Sequence, residues 1–257
     1  TTGAETTDTN GMTAFNTGGF SVGTDTNYNT NAATYVAWQW QAGAGTTSSN
    51  TSGSITSTVS VNATAGFSVV SWTPSAGNDT IGHGLGVAPS LIIAKPRNIV
   101  SAWPVYHKSI GATQVIYINT TAAAVAGAST WNNTAPTSTV FSTAAWFSNN
   151  GPTIAYCFSA VASYSAFGSY TGNGSTDGPF VYLGFRPRFI LLKPSSAIGN
   201  WTIIDTSRST YNVCDAFLYP NLNNAEASGV STPDILSNGF KLRGIAGYTN
   251  DSGVTYI

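Results

Sequence analysis

Apolar and polar residues alternate at short range along this chain, and the pattern is that of strands. Runs of four to seven β-branched and aromatic residues recur at 35–40, 67–72, 91–95, 115–118, 154–158, 180–185, 189–193, 201–204 and 239–242. Between them stand Asn-Gly pairs at Asn150, Asn173 and Asn238 and other Gly, Asn and Pro clusters, the residues that suit tight turns. No ten-residue window carries a helical period; 121–126 and 222–227 are each expected to make one short helical turn. Closely spaced strands with such turns predict an all-β fold of antiparallel, jelly-roll-like β-sandwich units in tandem. Residues 55–61 alternate apolar and polar and add an expected edge strand.

The strand pattern repeats. Gly86-Val-Ala-Pro89-Ser-Leu-Ile-Ile-Ala-Lys95-Pro96 matches Gly184-Phe-Arg-Pro187-Arg-Phe-Ile-Leu-Leu-Lys193-Pro194 with every position shifted by 98. Trp103 matches Trp201, and His107 matches Asp205, at the same shift. At that shift His83 stands opposite Val181. Thr17-Gly-Gly-Phe20 echoes Ser237-Asn-Gly-Phe240. The organisation expected is therefore a C-terminal part of a preceding unit at 1–41, a Gly/Ser/Thr linker with an edge strand at 42–65, a first full unit at 66–162 and a second, truncated unit at 163–257. The stretch 42–53 has neither charge nor large side chain, the composition of a flexible linker.

Composition narrows the function classes. The chain has nine basic and ten acidic residues, a net charge of −1, and a charged fraction of 7%, against about 25% in ordinary soluble domains. Without a positive balance or a basic stripe, nucleic acid is not an expected partner. The longest apolar runs, such as 189–192, are far too short for membrane insertion as a helix. Seven Trp and twelve Phe supply a core, so disorder through charge is excluded as well. Cys157 and Cys214 read as buried free thiols rather than as a disulfide framework.

Little chemistry is on offer. Residues 26–78 and 109–176 contain no Asp, Glu, Lys, Arg or His. His83 and His107 have no nucleophile motif beside them, so a turn or surface role is expected for His107 and no catalytic residue is assigned. Asp79 and Asp177, in comparable Gly/Asn-rich loops, read as turn caps. Carboxylates are not clustered for calcium or for glycoside cleavage, and the Cys and His spacing does not suit zinc; no metal and no cofactor are expected. Lys95 and Lys193 each end an apolar strand before Pro, and are expected to reach water with their ammonium groups. Trp103 and Trp201 are expected in the core. Exposed Trp among Asn-rich loops suits sugar stacking, which makes Trp131, Trp146 and Trp40 the candidate glycan contacts.

One string of motifs has a family look. It runs through Gly66-Phe-Ser-Val-Val-Ser, Gly82-His-Gly-Leu-Gly-Val-Ala-Pro89, Trp103-Pro-Val-Tyr-His107 and Trp131-Asn-Asn-Thr-Ala-Pro136. It continues in Phe167-Gly-Ser-Tyr-Thr-Gly-Asn-Gly174, Asp177-Gly-Pro-Phe-Val-Tyr-Leu-Gly-Phe-Arg-Pro187 and Ser237-Asn-Gly-Phe-Lys-Leu-Arg243. It resembles a domain of unknown function found, often in tandem, in tailed-phage genomes, especially of phages of aquatic bacteria, within long virion or fibre-like proteins. The resemblance implies a bacteriophage virion structural protein, a surface-exposed fibre or capsid-decoration component, non-enzymatic and located on the virion surface. Other virion proteins and copies of the chain itself are the expected partners. A module binding host-surface glycan is the alternative, and a polysaccharide depolymerase ranks third.

Overall fold

A computed structural model of the chain describes residues 2–148, 150–229, 233–245 and 248–257. It is nearly all β, with 34% strand and 3% helix, and its sheets are antiparallel sandwiches as the spacing predicted. The N-terminal part holds a hairpin, β1 (Met12–Asn16) and β2 (Gly19–Val22), then the single turn α1 (Thr26–Asn29). Next come β3 (Ser48–Asn50), β4 (Ser57–Asn62), β5 (Phe67–Trp72), β6 (Asp79–Gly82), β7 (Leu91–Pro96), β8 (Pro104–His107), β9 (Gln114–Tyr117), β10 (Val125–Ala126), α2 (Ala128–Trp131), β11 (Val140–Thr143) and β12 (Thr153–Phe158). The remainder is β13 (Tyr170–Thr171), β14 (Phe180–Tyr182), β15 (Phe189–Leu192), β16 (Thr202–Asp205), β17 (Phe217–Leu218), β18 (Pro233–Leu236), β19 (Gly239–Leu242) and β20 (Thr255–Tyr256).

Among the described residues, one sheet dominates, in the order β10-β9-β8-β7-β12-β5-β4-β3. One face packs on the β6–β11 pair and α2 around Val70, Trp72, Ile92, Tyr106, Trp131, Phe141 and Phe147. The other face meets residues of the second half, in a seam of Leu91, Val105, Ile116, Trp201 and Ile257. That double cover explains the unbroken apolar run of β7: Ile92 and Ala94 serve the first core, Leu91 and Ile93 the seam. In β15, likewise, Ile190 and Leu192 enter the core of the second half while Leu191 enters the seam.

Strand pairings of 66–162 have counterparts in 163–257. β5 pairs with β12, and β13 with β20; β6 pairs with β11, and β14 with β19; β7-β8-β9 is matched by β15-β16-β17. Where β12 joins β7, an isolated bridge joins Tyr256 to Pro194, flanked by the reciprocal bonds between Lys193 and Ile257. The registers correct one alignment. Leu91 pairs with His107 as Phe189 pairs with Asp205, which keeps the shift of 98. Ile81, however, pairs with Phe141 as Val181 pairs with Phe240, so Ile81 rather than His83 stands where Val181 stands. The loop 83–90 is simply longer than 183–188. Among the described residues, nothing in the second half takes the place of the β3–β4 hairpin.

Several local expectations differ from what forms. Residues 42–53 are not a bare linker: Ser48–Asn50 is β3, on the edge of β4, and Gly53 lies so close to Thr80 that a Cβ there would sit 2.0 Å from its carbonyl oxygen. Small residues here permit contact rather than motion. The run 35–40 finds no ladder and lies extended across the seam. The short helix falls at Ala128–Trp131, one turn after the place expected; 125–126 instead pairs with β9, and Ala227 makes a β-bridge to Phe217.

Candidate functional site

The groups with chemistry are spread out and occupied. Both histidines do the same local work. In each, Nδ1 accepts the N–H of the residue two further on, Leu85 for His83 (3.2 Å) and Ser109 for His107 (3.1 Å). His83 then donates from Nε2 to the Thr137 carbonyl at 3.2 Å. Burial lowers the pKa of both, and takes His107 to about 4 with help from the Lys108 charge. Both imidazoles are buried and tied to their own turns.

Asp205 is equally committed. Its carboxylate accepts from the backbone N–H groups of Ser207 and Arg208, from Arg208 Nε at 2.7 Å and from Trp38 Nε1 at 3.2 Å. Burial pushes its pKa up, but Arg208 and the backbone donors outweigh that and hold it low. Asp79 accepts from the N–H and hydroxyl of Ser75, closing its own turn, whereas exposed Asp177 pairs with Lys241 at 2.8 Å. No group of three or more His, Cys, Asp or Glu among the described residues could hold a metal ion. Cys157 and Cys214 are free and buried, and burial raises both thiols. No helix among the described residues is long and apolar enough to cross a membrane.

The two strand-ending lysines do not reach water; they are buried, Lys193 completely. Lys95 Nζ donates to the carbonyls of Pro96 and Ile99. Lys193 Nζ donates to those of Pro194 (3.0 Å), Gly199 (2.9 Å) and, across the seam, Thr121 (3.2 Å). The chain bends just after the proline that follows each lysine, which brings carbonyl oxygens back to the ammonium, and these replace its water. Desolvation still lowers both pKa values, Lys193 to about 8.

The aromatic candidates separate by burial. Trp131 is 2% exposed, with its ring against Tyr106 and Phe147, and has no face to offer a sugar. Its place on α2, facing the first core, was invisible without the helix. Trp146 packs edge-on against Phe147 at the margin of the same core. Trp40 is 44% exposed and sits edge-on to Phe158 and Phe189, one from each half. Trp201 is buried and donates Nε1 to the Tyr117 carbonyl across the seam, at 2.9 Å; Trp103 is half-buried. A shallow, open groove beside Arg97 is lined by its two-pronged ion pair with Glu5.

What the surface does carry is uncovered β structure. β1 is exposed along its length, with Phe15 83% exposed, and the outer edge of β14 shows Phe180 and Tyr182. Sequence reasoning passed over both, because alternation marks a strand without telling which edges a neighbour will cover. No curated protein and no solved structure matches the chain. One family model does, over residues 1–257, and the chain therefore belongs to the family described as domain of unknown function DUF7483.

Proposed function

We propose that this chain is a non-enzymatic structural protein of a bacteriophage virion, displayed on the particle surface in a fibre or a capsid decoration and built from two copies of one β unit. The observation that carries the reading is the open β structure just described, in a chain only 7% charged. Proteins that work alone guard strand edges with lysine, proline or a covering segment. Here the hairpin β1–β2 and the strand β14 end their sheets with apolar side chains in water, which suits a chain that is covered by neighbours in an assembly. The phage attribution rests on the motif string. The matching strand pairs support the two-copy reading.

The test is mass spectrometry and antibody labelling of gradient-purified particles from the system that encodes the chain. Stoichiometric recovery and labelling of the particle surface are expected. Recovery of the chain only outside the particles would overturn the reading.

A further inference from the structure

We propose that copies of this chain join head to tail, with the β1–β2 hairpin of one copy adding β2, in parallel, to the outer edge of β14 in the next. The proposal rests on the assembly reading above only in requiring self-association; it needs no particular place on a particle.

The receiving edge is defined by its register. Leu242 donates to the Pro179 carbonyl and Leu183 to that of Asn238, so the odd-numbered residues of β14 bond to β19. The backbone groups of Phe180 and Tyr182 therefore point away from β19, and their side chains are 45% and 69% exposed. The same edge in the first half is not left open. Ile55 forms a parallel bridge to Ile81, Ser54 and Thr80 exchange hydrogen bonds, and the Ser57 hydroxyl donates to the Gly82 carbonyl. This fold thus seats an extended, parallel segment on the strand equivalent to β14, and among the described residues β14 lacks one.

The hairpin supplies what the edge needs. A two-stranded hairpin alone is marginal in water, and this one exposes Met12, Phe15 and Val22. Charge then selects the orientation. Residues 1–94 contain no Lys or Arg, and Asp8 and Asp25 lie together at the open end of the hairpin. Beyond the C-terminal end of β14 stands Arg188, exposed and in no ion pair among the described residues, while nearby Arg186 turns its guanidinium to the Ile235 carbonyl at 2.8 Å. Parallel docking brings the Asp25 end to the arginine end, in the sense already used by Ile55 on Ile81. Because the two surfaces differ, the contact is heterologous and propagates into open chains or closes into rings.

Sedimentation velocity of the 257-residue chain over a concentration series tests this. The wild type should show mass rising beyond a dimer. Two edge variants, Tyr182→Pro and the double Phe180→Lys, Tyr182→Lys, should each weaken association roughly tenfold or more. So should a hairpin variant, Phe15→Lys with Val22→Lys, with near-ultraviolet circular dichroism unchanged. Each variant keeps one intact surface, so mixing a hairpin variant with a folded edge variant should give a one-to-one dimer. A monomeric wild type, variants that associate like it, or a mixture that stays monomeric would each overturn the proposal. These readouts are independent of whether the chain is found on particles.

Discussion

His107 and Asp205 close the same turn with different chemistry. Each ends a strand opposite an apolar partner, Leu91 or Phe189, and each accepts the N–H two residues on, at 3.1 and 3.0 Å. An acceptor of the right reach is what the position needs, and an imidazole nitrogen or a carboxylate oxygen supplies it.

The relationship gives a pH prediction. The folded pKa of His107, about 4, lies below the ordinary 6.5, so protons favour the unfolded chain. Its contribution is whole above pH 6.5 and is lost as pH falls toward 4, by roughly 3 kcal/mol. His107→Asn keeps an acceptor and cannot titrate. Denaturant unfolding at pH 7 and pH 4.5 should show the variant close to wild type at pH 7 and less weakened by acid; an unchanged acid slope would refute the assignment.

Lys193 predicts the opposite end of the scale. Its folded pKa near 8 lies below the usual lysine value of 10.5, so the unfolded chain holds more protons between the two. Stability from this group rises with pH across that window, by at most about 1.4 kcal/mol per pH unit. Lys193→Met should flatten the slope between pH 8 and 9.5, read by chemical denaturation before the tyrosines ionise.

Gly53→Ala tests whether 42–53 is fitted structure or linker. The added methyl would run into the Thr80–Ile81 peptide, backbone that cannot turn aside as a side chain could. A loss of about 1–3 kcal/mol and faster amide exchange in β6 are expected; a true linker would show neither.

Trp40→Ala removes the ring that spans Phe158 and Phe189. Being partly exposed, it should cost less than a core tryptophan, about 1–2 kcal/mol. The loss should appear as weaker protection of amides at the seam, with the first core around Trp72 unchanged.

The enzymatic alternative has a direct check. Host-surface polysaccharide incubated with the wild type and with a His107→Ala, Asp205→Ala double variant should yield no new reducing ends with either. Cleavage by the wild type that the variant loses would restore the depolymerase reading.

The sequence by itself determined the β class and the antiparallel sandwich character, because alternation and turn chemistry are local and a ladder keeps period two wherever it lies. It also placed Trp201 inside. Burial of Lys95 and Lys193 was not legible, since it depends on carbonyls from loops and, for Lys193, on Thr121 across the seam. Trp131 reads as a surface ring in the sequence because its one-turn helix is too short to leave a period. Residues 42–53 read as a linker because small residues look alike whether they allow motion or close approach, and only the carbonyl of Thr80 against Gly53 tells which. Which edges stay open was likewise decided in three dimensions: β6 is covered by a segment well upstream in sequence and β14 by nothing among the described residues, and no local pattern records the partner a strand fails to meet.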